Sequence, residues 1–273
     1  MVDNRTGGDR RPSRGRGADG PRGPQRRDGR PDGRSSGPGR DRQPPPRNGA
    51  DNDRDEPPIP KEIEAKQLAP DVRRELSTLD KANADAVARH LVAAGELLDE
   101  DPEAALNHAR AARARSGRIA AVREAVGIAA YQCGDWAQAI AELRAARRMG
   151  SKSPLLPLIA DCERGLGRPE RALELARGEE AGKLTGDEAD EMRIVTAGAR
   201  ADLGQLEQAL TVLSTPQLDP SRTGTISARL FYAYAETLLA LDRGDEALQW
   251  FLHAAEADIH GATDAEDRVS ELG

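Results

Sequence analysis

Aromatic side chains are scarce in this 273-residue chain: two Trp, three Tyr and two Phe account for 3% of it, and none precedes Tyr131. The first 130 residues therefore offer no Phe, Tyr or Trp ring on which a nucleic-acid base could stack. Cysteine is nearly as rare. Cys133 and Cys162 show no CxxC and no paired spacing, which excludes a disulfide framework and points to a reducing, cytoplasmic setting. No apolar run reaches the ~18–20 residues of a membrane span, and the N-terminus has no apolar core of a secretion signal. Lysine is sparse, five against 35 Arg, the coding bias of a GC-rich bacterial genome. Nowhere do apolar and polar residues alternate with the β-branched enrichment that a strand needs.

What is present divides in two. Residues 1–50 hold 13 Arg, 11 Gly and 8 Pro against six Asp and no Lys or Glu, a net charge of +7. Residues 51–273 carry −14. So little apolar surface cannot offset the entropy of ordering the chain, and residues 1–59 are expected to form a disordered tail. Periodic apolar positions start after Pro57-Pro58-Ile59-Pro60. A leading, capping helix is expected within residues 60–80, where Pro70 suits a first turn and Val72, Leu76 and Leu79 share a face. From Ala82 onward the strong helix formers Ala, Leu, Glu and Arg dominate, so the fold class is all-α.

An internal register runs through the helical part. Ala105-Leu106, Ala139-Ile140, Ala172-Leu173, Ala209-Leu210 and Ala247-Leu248 recur at spacings of 34, 33, 37 and 38. Twelve residues before each anchor stands another small residue: Ala93, Gly127, Ala160, Ala197 and Ala235. Turn signals fall between them, at Cys133-Gly134-Asp135, Leu166-Gly167-Arg168, Leu203-Gly204-Gln205 and Leu241-Asp242-Arg243. Small residues at those places let two backbones cross at about 8–10 Å. A single pair cannot bury its own face, so several must stack.

This pattern resembles the tetratricopeptide repeat family, most closely in Gly127…Tyr131-Gln132-Cys133-Gly134-Asp135-Trp136-Ala137-Gln138-Ala139-Ile140 and Ala160…Leu166-Gly167-Arg168-Pro169-Glu170-Arg171-Ala172-Leu173. The resemblance implies about five helix pairs over residues 81–260, wound into a right-handed superhelix; the acidic, polar composition after Ile259 makes 261–273 an expected frayed end. Where the family often has a large residue near the start of each first helix, this chain has Arg89, Arg123, Leu156, Arg193 and Phe231. The family's first helices line a concave groove that holds a protein partner. By register, that groove would present His90, Glu124, Tyr131, Gln132, Asp161, Arg164, Arg229, Tyr232 and Glu236, with Tyr131 and Tyr232 as anchors. The carboxylate clamp of the chaperone-binding branch needs Lys and Asn. The matching places hold His90, Ala94, Ala125, Pro154 and Leu158, so that role is excluded.

Catalytic signatures are missing. There is no HExxH, no GxxxxGK and no Ser-centred elbow, and His90, His108, His253 and His260 fall in no metal-ligand spacing. The histidines are expected as surface or partly packed helix positions. Glu179-Glu180 and Asp187-Glu188 are expected as solvated helix ends. No enzyme, cofactor, metal or small-molecule substrate is expected; the expected work is partner binding as a scaffold. The alternative is an RNA- or ribosome-associated adaptor, with Arg14, Arg16, Arg22, Arg26 and Arg27 of the tail following a phosphate backbone.

Overall fold

The computed structural model describes residues 56–273. The expected tail, with Arg14, Arg16, Arg22, Arg26 and Arg27, lies outside the described residues except for its last four positions. Among the described residues every regular element is helical. α1 (Pro70–Leu76) leads. Five pairs follow: α2 (Lys81–Glu96) with α3 (Pro102–Ser116), α4 (Ala120–Gln132) with α5 (Trp136–Arg148), and α6 (Leu156–Gly165) with α7 (Pro169–Ala176). The others are α8 (Asp187–Asp202) with α9 (Leu206–Leu213), and α10 (Thr225–Ala240) with α11 (Gly244–Ala257). α12 (Ala265–Leu272) comes after them. The members of each pair pack together, and each second helix packs on the next helix along. None of these helices is long and apolar enough to cross a membrane.

Small residues set the crossings. Ala105, Ala139, Ala172, Ala209 and Ala247 are all buried, as are Ala93, Ala160, Ala197 and Ala235 twelve residues earlier. Gly127 completes that second set for a steric reason. A Cβ there would sit 2.6 Å from the Leu143 side chain and 3.2 Å from its backbone nitrogen. Larger residues fill the space around these crossings, with Leu143, Ile159, Phe231 and Phe251 among the largest fully buried side chains.

Four turns between first and second helices share one backbone plan. Asp135 donates to the Ala130 carbonyl and Gly134 to that of Tyr131; Arg168 and Gly167 repeat this on Glu163 and Arg164. Gln205 and Gly204 do so on Arg200 and Ala201, Arg243 and Asp242 on Leu238 and Leu239. These are Schellman ends, which place one residue in the left-handed region. Gly134, Gly167 and Gly204 have φ near 70°, and Asp242 takes the same role at φ 59°. Second helices start on aspartate caps at two of the pairs: Asp101 accepts from the Ala104 N–H and Asp135 from that of Gln138.

The arginines that stand where a large residue was expected tie down connections. Arg89 donates to the Ile63 carbonyl and Arg123 to that of Gly117, while Arg193 reaches the carbonyls of Val212, Leu213 and Pro216. Buried carboxylates sit between such arginines. Glu142 of α5 is 4% exposed and pairs with Arg113 of α3 at 3.0 Å and Arg123 of α4 at 2.8 Å. Asp190 of α8 pairs with Arg193 and Arg222, each at 2.7 Å.

Two boundaries differ from expectation. Residues 56–59 belong to the folded body and not to the tail. The Glu56 carboxylate takes two hydrogen bonds from Arg115, at 3.1 and 2.6 Å, and Ile59 packs beside Ile63, Val92 and Ala93. Residues 261–273, expected to fray, contain α12. The Asp258 carboxylate accepts from the N–H groups of Ala262 and Thr263 and so redirects the chain. Ala265 is then buried, Arg268 bonds Glu236 at 2.9 Å, and its guanidinium lies 5.4 Å from the centre of the Phe251 ring.

Candidate functional site

Four of the first helices contribute to one recess of about 340 Å³. Tyr131 comes from α4, and Pro157, Leu158 and Asp161 from α6. α8 supplies Asp187, Glu188, Glu191 and Val195, and α10 supplies Ile226 and Arg229. Pro154, in the connection before α6, completes the wall. The lining is thus an apolar floor of prolines and branched side chains edged by four carboxylates and one guanidinium.

The polar groups are mutually oriented. The Tyr131 hydroxyl donates to Asp161 at 2.5 Å. Burial, reinforced by the Asp161 charge, pushes that phenol well above its ordinary range, so it stays a protonated donor. Asp161 also accepts from Arg164 at 2.7 Å, and Arg164 reaches across to Asp202 at 2.8 Å. Gly198 on α8 makes room for this: a Cβ there would stand 2.4 Å from the guanidinium carbon. Arg229 forms a two-pronged pair with Glu191, at 2.9 and 2.8 Å.

The nine residues expected along one groove divide into groups. Tyr131, Asp161 and Arg229 meet in the recess. Arg164 touches it through Asp161 and lines the adjoining hollow with Trp136 and Asp202. Glu124 lies apart, accepting from the hydroxyls of Ser151 and Ser153 at 2.7 and 2.6 Å. Gln132 is exposed and is not among the recess residues. Tyr232 and Glu236 are engaged elsewhere: Tyr232 packs edge-on against Phe251 of α11, and Glu236 holds Arg268 of the C-terminal segment. They do not line the recess.

His90 is the clearest correction. The residue is 1% exposed and its side chain turns inward, with Nδ1 3.0 Å from Nδ1 of His108 and Nε2 3.4 Å from Glu56. His108, expected as a surface or partly packed helix position, is buried as well. Desolvation lowers the pKa of both imidazoles; the Glu56 carboxylate opposes this at His90. Cys162 is fully buried, and burial pushes its thiol up to about 12, which leaves it an inert packing group. Among the described residues no group of three or more His, Cys, Asp or Glu is arranged to hold a metal ion.

Val195, Ile226, Glu188 and Glu191 also line the recess, beyond the residues that the register assigns to the groove. A signal existed for one of them. Leu158 and Val195 stand at the same place, fourteen residues before Ala172 and Ala209, so the register that aligns the small residues also aligns the floor. No family model matches the chain, and no curated protein sequence does either.

Proposed function

We propose that this chain is a non-catalytic scaffold of the tetratricopeptide type, working in the cytoplasm, that holds a segment of a protein partner in the recess between its first helices. The observation that carries this is convergence: four successive first helices bring Tyr131, Asp161 and Arg229 over one apolar floor. Stacked pairs whose second helices pack on the next pair agree with the repeat reading. The recess has the character of a recognition site, with an oriented aromatic anchor and few, fixed polar groups. Partner recovery by the full chain should fall about tenfold for Tyr131→Ala and for Ile226→Asp, and should survive RNase. Tyr232→Ala should leave recovery unchanged, because that ring packs on Phe251 of α11 and lies outside the recess. Recovery that RNase abolishes and the recess variants leave intact would favour the RNA-adaptor reading instead.

A further inference from the structure

We propose that the partner segment held in the recess is basic and amphipathic: a Lys or Arg facing Asp187 and Glu188, with an adjacent apolar side chain on Pro157, Leu158 and Ile226. This rests on the reading of the recess as a partner site and assigns the chemistry of its occupant. The argument is one of which charges are already answered. Asp161 is held by Tyr131 and Arg164, and Glu191 by both prongs of Arg229. The one guanidinium lining the recess is therefore satisfied, and an acidic partner would find no free cation there. Asp187 and Glu188 are different. Asp187 reaches Arg222 only at 4.0 Å, while that arginine sits on Asp190 at 2.7 Å. Glu188 has no ion pair or hydrogen bond from its side chain among the described residues. Both are exposed at the edge of an otherwise apolar floor. A cation brought there gains the unpaired Glu188 and competes only with the 4.0 Å Arg222 contact at Asp187, and an apolar neighbour covers the floor. The net charge of −14 over residues 51–273 attracts the same class of partner at longer range and repels an acidic one.

The probe is a phage-displayed library of random twelve-residue peptides, selected on the immobilised full-length chain. Clones are kept only if Tyr131→Ala or Ile226→Asp abolishes their binding, which confines the readout to the recess. The expected result is enrichment of Lys or Arg beside Leu, Ile, Val or Phe. Selection on the charge-reversed variant Asp187→Lys/Glu188→Lys should instead enrich Asp or Glu at that position. Should the reversed variant lose helicity by circular dichroism, Glu188→Gln serves alone, and the basic clones should weaken on it by about threefold or more. Recess-dependent clones that are acidic or neutral, or equally enriched on both proteins, overturn the basic-partner inference and leave the recess as a partner site. If no clone depends on Tyr131 or Ile226, the recess is not a peptide site, and both readings fall.

Discussion

Gly95 and Gly127 both lie in first helices, and the same methyl group should have opposite effects at the two. At Gly127 it would press on Leu143 at 2.6 Å, with a backbone nitrogen behind it, so Gly127→Ala should destabilise by about 1–3 kcal/mol. At Gly95 nothing lies within 4 Å, and Gly95→Ala should stabilise by about 0.5–1 kcal/mol through helix propensity alone. Urea unfolding of the two variants, read side by side, checks both signs. The His90–His108 contact gives a second expectation. Both imidazoles have pKa values depressed below 6.5 in the folded chain, so the unfolded chain takes up protons first as pH falls. Their contribution to stability is present above about pH 6.5 and is lost progressively below it. Between pH 7 and 5.5 the wild type should therefore lose more thermal stability than the His90→Gln/His108→Gln variant; equal losses would remove the pair from the account. The sequence did not reveal this contact. An imidazole on a helix reads the same whether it faces water or a partner, and here the partner lies eighteen residues away on another helix.

At the scale of elements, the turns were legible because their chemistry is local. A Gly three to five residues before a new apolar run marks a Schellman end, and the carbonyls it satisfies belong to the helix just finished. Gly204 shows the cost of that conformation in isolation. A Cβ there would meet nothing within 4 Å, so Gly204→Ala should destabilise by about 1–2 kcal/mol from backbone strain alone. Asp242 already bears that strain, and Asp242→Gly should be neutral or slightly stabilising; chemical denaturation of both variants decides. α12 was not legible. It has few apolar positions, Ala265 and Val269 being those that pack, and its start depends on the Asp258 side chain rather than on a cap beside the helix. Deleting residues 261–273 would uncover Phe251 and leave Glu236 without Arg268. A loss of about 2 kcal/mol is expected, seen as a melting point lower by roughly 4–8 °C.

For the whole molecule, helical content and the spacing of pairs were written in composition and register, whereas the recess was only half written there. Tyr131, Asp161 and Arg229 came from register, but their convergence with Val195 and Ile226 depends on how successive pairs are rotated, which pattern alone does not encode. Charge is the global property the sequence states outright, and it bears on the RNA alternative. A segment of net +7 neutralises about seven phosphates, so binding of the full chain to single-stranded RNA should show a slope of log affinity on log salt no steeper than roughly −5. A salt-insensitive dependence, measured from low to physiological ionic strength, would require contacts from the acidic helical body.

The order of helix packing has a consequence for how the chain comes apart. Apart from α1 on α4, the principal helix contacts join helices one or two places apart in sequence. Native contacts therefore have short loops to close, and contact order is low. Opening is correspondingly graded: α12 and then α11 can detach while α4 to α8 keep both neighbours. Amide hydrogen exchange should fall stepwise from the last helices toward the middle of the body, with the central pairs protected longest.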